Sequence, residues 1–279
     1  MRISDVASAD AGVVGSMRDG VLENTFLLVG QDGSPNNYVL TVGRAGAGGW
    51  MTPRHRHNFD QIRFVLDGDY PYEGEKVLPQ GWVGYFPESV HYGPQARPEG
   101  LLVMGFQTGG ASGAGYLSVA QREAANAALA KKGTFKGGMY TYVDANGEAQ
   151  TKDGSAACFE EATGKPLTLA APRYTSPIIM NPAAFAWMPG STSGTSVKWL
   201  GSFTERNTRI GFVRIEPNST FEGGLQISIE LLFLAKGRIL VKGREYGPHT
   251  ALEFIPGDGP FPVKAIAESE LLRIVLPQF

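Results

Sequence analysis

Two blocks of short apolar and β-branched runs, cut by Gly, Pro and Asp, register on each other at a constant shift of 169 residues without a gap. Phe64 falls on Phe233, Gly68 on Gly237, and Tyr85-Phe86-Pro87 on Phe254-Ile255-Pro256. Glycine at a turn and proline after an aromatic strand end are what a preserved backbone retains, so the pattern predicts two copies of one β fold. The first block holds NYVLTV, QIRFVLDG, GWVGYF and GLLVMGFQ, with no helical period between them. The second holds VKWLGSF, RIGFVRIE, SIELLFLAKG, RILVKG and ELLRIVL. Between them, after a Gly/Ser/Ala connector at 109–115, residues 118–132 read as a helix with Ser118 at its N-cap and Gly133 beyond its end. A hairpin is expected around Asn146-Gly147 and a second short helix in DGSAACFEEATGK. The expected organisation is an N-terminal barrel over 1–116, a linker over 117–175 and a C-terminal barrel over 176–279.

Composition narrows the function. With 25 Lys and Arg against 27 Asp and Glu, the net charge of -2 provides no basic field for a phosphate backbone, which excludes nucleic acid as an expected partner. No apolar run approaches the roughly 20 residues that cross a bilayer, and the N-terminus lacks the apolar core of a signal peptide, so no membrane partner and a cytoplasmic location are expected. Cys158 is the only cysteine, so no intrachain disulfide can form.

The chain has only four histidines, and three fall in the first block. In GWMTPRHRHNFDQIRFVLDG, His55 and His57 are two apart, so both imidazoles point to one face of an extended strand, and Gln61 and Arg63 keep that parity if the strand continues. In GWVGYFPESVHYGPQ, His91 follows a strand that ends at Pro87, and closing such strands into a small barrel brings it towards the pair. Neutral imidazoles in this number are good ligands for Fe, Ni, Cu or Zn. His249 falls in a turn-rich stretch and is expected in a surface turn.

These spacings resemble the two sequence motifs of the cupins. Gly49, His55, His57, Gln61 and Gly68 match the intervals of the first, with Gln61 where the family has Glu. Gly81, Pro87, Ser89 and His91 follow the second more loosely, with Ser for Gly and one residue fewer before His. The resemblance implies an all-β protein, a bicupin of two jelly-roll β-barrels with a short helical insert. It also implies a divalent transition metal held by His55, His57, His91 and Gln61, with Fe(II) favoured and Zn, Ni or Mn as alternatives. In the second copy the same shift puts Gly224, Gln226, Glu230 and Pro260 in those slots, so that barrel is expected to be metal-free and architectural.

Without the carboxylate, a bound dication keeps its full charge and favours an anionic small-molecule substrate. Arg63 is expected to point into the barrel, either to anchor a substrate carboxylate or to pair internally with Asp67 or Glu88. Tyr70, Tyr72, Tyr85, Trp50, Trp82, Met104 and Phe106 are candidate pocket walls, and Tyr85 is taken with Arg63 as a candidate catalytic residue. The expected activity is a mononuclear iron dioxygenase acting on a small oxygen-bearing organic anion. The alternatives are a non-redox isomerase or lyase on a sugar acid or similar anion, and a non-catalytic binding protein. A homodimer through barrel edges is a further expectation.

Overall fold

The computed structural model describes residues 1–14, 18–33, 36–114 and 116–279, with only the backbone at 13 and 14. Gly115 of the expected connector lies outside the described residues. The chain divides into two compact units, Ala11–Ile179 and Met1–Asp10 with Met180–Phe279.

The strands run in chain order as β1 (Arg2–Asp5), β2 (Asp10–Val14), β3 (Asp19–Val29), β4 (Tyr38–Thr52), β5 (Phe59–Asp67), β6 (Tyr70–Glu73), β7 (Lys76–Leu78), β8 (Val83–Phe86), β9 (Gln95–Arg97) and β10 (Leu102–Gly109). An insert follows, with α1 (Val119–Leu129), β11 (Gly133–Lys136), β12 (Met139–Val143), β13 (Ala149–Asp153) and α2 (Gly154–Thr163). Then come β14 (Ile178–Met180), β15 (Met188–Pro189), β16 (Thr195–Phe203), β17 (Thr208–Ile215), β18 (Thr220–Gly223), β19 (Glu230–Val241), β20 (Arg244–Tyr246), β21 (Thr250–Phe254) and β22 (Phe261–Val275).

Each unit is built on a β jelly roll, and the duplication is visible in strand order: β8-β5-β10-β4-β3 in one and β21-β19-β22-β17-β16 in the other. Gly68 and Gly237 both sit at positive φ, 82° and 96°, where a side chain would be strained. The 169-residue shift does not run unbroken. Gln61 faces Phe86 and Gln107, whereas Glu230 faces Phe254 and Val275, so the shift falls to 168 past the turn after β5. One residue fewer there leaves the ladder intact, because turns tolerate length changes that strands do not.

The N-terminal boundary also differs from expectation. β1 pairs with β21, with Arg2 bonded to Glu253 and the terminal ammonium 2.5 Å from Asp258, so the first ten residues belong with the C-terminal barrel. The insert belongs with the N-terminal barrel. Its first helix carries a capping box in which Ser118 Oγ accepts from the Gln121 N–H at 3.1 Å and Gln121 Oε1 from the Ser118 N–H at 3.0 Å. The second is capped by Asp153, which accepts from Ser155 and Ala156, and ends at Gly164 with φ 66°. The two helices meet through Ala125, Leu129, Ala157 and Cys158, against Tyr140. Burial pushes the Cys158 thiol up to about 11, so it packs as a small apolar group.

The barrels differ inside. The C-terminal interior is mainly apolar, with Val213, Phe221, Leu232, Leu234, Leu252, Phe254 and Leu271 all buried, and its buried Arg273 is paired with Glu230. Each such side chain contributes about 1.5–3 kcal/mol on burial. The N-terminal barrel has Arg63 where this one has Leu232, and its interior is polar. Ser89 stands where the cupin motif has glycine, at φ 67°, fully buried, and its Oγ lacks a hydrogen-bond partner among the described residues. Ser89→Gly is therefore expected to raise stability by about 1 kcal/mol in urea denaturation, and no gain would show that the position is unstrained.

Candidate functional site

The N-terminal barrel encloses a cavity of about 120 Å³. His55 and His57, between β4 and β5, both line it, as do Gln61 and Arg63 of β5. β10 pairs with β5 in the same sheet and contributes Val103, Gly105 and Gln107, the residues of one parity. A Cβ on Gly105 would lie 2.6 Å from Arg63 Nη1, so this glycine leaves the space the guanidinium fills. Trp50 of β4 and Arg97 of β9, paired in register, form another wall. Arg18, and Arg122 and Ser155 from the insert, complete it.

Several expected site residues lie elsewhere. His91 is exposed and does not line the cavity; the inward position is taken by Tyr92, whose backbone bridges to His55 and whose ring lies 4.4 Å from that imidazole. The cause is a count of one: with Ser89 in the glycine place of the motif, the third residue on is 92, and alternation turns His91 outward. Tyr85 is also on the wrong face. It is buried beside Tyr174 and donates to Asp60 Oδ2 at 2.8 Å. Burial, with Asp60 beside it, pushes its phenol well above the usual range, so it is no proton donor to the cavity. Met104 and Phe106 share the face opposite the cavity by the same alternation. Tyr70, Tyr72 and Trp82 pack in or against the apolar cluster around Val65, Leu78 and Phe86, leaving Trp50 as the expected aromatic that does line the cavity. His249 lies in a turn and stacks on Phe233 at 5.8 Å.

Both cavity imidazoles are held neutral. His55 is lowered to about 4, first by burial and then by the Arg18 charge; its Nδ1 lies 2.6 Å from the Pro53 carbonyl oxygen, which can only accept. The proton is therefore on Nδ1 and Nε2 carries the lone pair. His57 is lowered well below its usual value by burial, then by His55 and the charges of Arg18, Arg63 and Arg122.

Gln61 is fully engaged. Its Oε1 accepts from Arg63 and, at 3.2 Å, from Gln107 Nε2, while its own Nε2 donates to Tyr92 Oη. Burial raises the Tyr92 phenol, keeping it protonated. Two imidazoles, a neutral phenol and an amide oxygen with both lone pairs in use do not fit the three-histidine metal site that the resemblance implies. Among the described residues no group of three His, Cys, Asp or Glu is placed to hold an ion.

The guanidinium groups were not foreseen as a set. Arg18 is neutralised by Asp153 at 3.1 Å and donates to the Gly138 carbonyl at 2.7 Å. Arg63, Arg97 and Arg122 have no carboxylate partner among the described residues. The internal pairing of Arg63 with Glu88 does not form, because Glu88 is on the other face and holds Arg173 at 2.7 Å. Arg97 donates to Tyr70 Oη at 3.1 Å, lies 4.8 Å over that ring, and leaves a buried Nε without a partner. Burial alone would raise the Tyr70 phenol, but the charges of Arg97 and Arg63 and bonds from Gln95 and Arg63 outweigh it and lower it.

No family model matches the chain, and no curated protein matches its sequence. Solved structures do match its shape. Fe(II)-bound HEPD of Streptomyces albus, with substrate 2-hydroxyethylphosphonate, matches at TM-score 0.58 and 14% identity over 99% of this chain and 76% of that one. A mutant of the Bacillus subtilis oxalate decarboxylase OxdC matches at 0.56 and 12%, over 100% and 78%. The fold is that of the cupins. A further cupin-fold neighbour, the pirin YhhW of Escherichia coli in complex with nickel(II), matches at 0.54 and 10%, over 100% and 99%. Metals are thus named in two of these three cupin structures. At such identities the likeness concerns the fold. Among the described residues no helix is long and apolar enough to cross a membrane.

Proposed function

We propose that the N-terminal barrel binds a small organic anion through Arg63 and Arg97 and acts on it by proton transfer at His55 and His57, as an isomerase or lyase would. The observation that carries this reading is the set of cavity guanidinium groups without carboxylate partners. Guanidinium groups half-buried in one cavity repel one another, and where no carboxylate is built in, an anionic ligand is the favoured counter-charge. The second barrel gives the contrast within one chain. There the interior Arg273 bonds Glu230 at 2.6 Å and stacks over Trp199 and Phe221, an internal use of arginine with its partner provided.

The cavity's own residues support a division of labour. Arg63 and Arg97 bind and orient the carboxylate, and the apolar Trp50, Phe59 and Val103 exclude water. Burial is the first cause that lowers His57 and the neighbouring charges add to it; an anion beside the imidazole offsets the charge contribution and moves it back towards its ordinary value. The Nε2 lone pair of His55 is the second proton acceptor.

A second reading is metal-dependent chemistry, of which an iron dioxygenase is one form. It is favoured by the paired imidazoles, ring centroids 4.8 Å apart, and by neighbours whose structures hold Fe(II) or nickel(II). Two of the neighbours are also named for small oxygen-bearing anions, oxalate and 2-hydroxyethylphosphonate. A thermal-shift screen of carboxylates on metal-stripped protein tests the anion reading. Stabilisation by carboxylates but not by their neutral amides is expected; equal response to both would contradict it.

A further inference from the structure

We propose that the ligand is a dianion, with one charged group held by Arg63 and Arg97 and the other by Arg122 of the insert helix α1. The inference rests on the anion reading above and deepens it. Arg97 donates to the Tyr70 hydroxyl, the charge of Arg63 also acts on that phenol, and both guanidinium groups line the main cavity, so we group them as one subsite. Arg122 lies beyond two amides. Its Nη1 donates to Gln107 Oε1 at 3.3 Å, Gln107 Nε2 donates to Gln61 Oε1, and Gln61 Oε1 accepts from Arg63. This chain sets two guanidinium subsites at opposite ends of a Gln61–Gln107 bridge.

The number of subsites, rather than the number of cations, sets the ligand's valence. Arg18 is neutralised by Asp153, which leaves three cations facing the cavity without built-in carboxylates. A single carboxylate can bridge Arg63 and Arg97 but leaves Arg122 uncompensated. Arg122 also borders a second, smaller cavity of about 20 Å³ that shares His57 and Ser155 with the main one, so there is space on its side. His57 lines both cavities, as Arg122 does, and Arg63 shares the larger one with it. A dianion spanning the two subsites would present its connecting carbons to the imidazoles, where a proton would be moved.

Calorimetric titration of metal-stripped protein with acetate, malonate, succinate and glutarate tests this. One of the dicarboxylates is expected to bind the native protein at least ~30-fold more tightly than acetate. In Arg122→Leu that preference should shrink to about threefold or less while acetate affinity stays within about twofold, and Arg122→Lys should restore part of it. Circular dichroism and melting of the variants confirm that α1 is intact. No preference for dicarboxylates in the native protein, or an undiminished preference in Arg122→Leu, overturns the dianion proposal. If acetate binding still depends on Arg97, the anion reading survives that result. If no carboxylate binds, both fall.

Discussion

Arg97→Met is expected to weaken carboxylate binding by about 100-fold or more and, without ligand, to raise the protein's stability by about 1–2 kcal/mol. The two effects share one cause. Arg97 is desolvated, its Nε has no partner, and its cation faces only neutral or cationic groups apart from the Tyr70 oxygen. Burial without a carboxylate is a cost to the folded state, and methionine of similar length removes it. The ligand loses the group that would have held it. Calorimetry and urea denaturation of the same variant read both signs. Lower stability with unchanged binding would make Arg97 an ordinary structural residue.

Wild-type stability is expected to fall between about pH 4 and pH 7 through Asp60, by on the order of 4 kcal/mol, and Asp60→Asn is expected to remove that fall. Asp60 is buried under β8 and raised from 3.8 to about 7, chiefly by burial and further by the nearby Glu88 carboxylate. Hydrogen bonds from the Glu88 N–H and Tyr85 Oη, both 2.8 Å, and the Arg173 charge work the other way and lose. The sign follows from the raised value. Between the unfolded and folded values the native state holds a proton the unfolded chain has released, so stability drops as pH rises and levels off above the folded value. Asparagine, neutral throughout, should match wild type near pH 4 and exceed it at pH 8. Parallel stability curves for the two proteins would refute this, whatever other carboxylates contribute to both.

The fold was readable because its signals are local. Gly68 and Gly237 mark equivalent turns, and strand alternation placed His55, His57, Gln61 and Arg63 along one wall, a reading that needs only neighbours in sequence. The same rule misplaced His91, because its face depends on an exact count across a turn, and Ser89 in a glycine's conformation shifts the inward position to Tyr92. Alternation within GLLVMGFQ could have found Gln107 and set Met104 and Phe106 aside, once the side of β10 was known. Arg97 and Arg122 carry no such signal. Arg97 enters the cavity through its pairing opposite Trp50, and Arg122 through the docking of α1, both long-range contacts that no spacing encodes. The cationic character of the cavity is likewise invisible in a chain whose net charge is only -2.

In the proposed site, arginines rather than a bound metal hold the anion. This is tested most directly by titrating a dicarboxylate such as succinate into chelator-stripped protein and into the same protein resupplied with Fe(II) or nickel(II). Affinities within about threefold of each other are expected, with loss of binding in Arg97→Met under both conditions. Binding that vanishes on chelation, returns only with metal and is indifferent to Arg97 would contradict it.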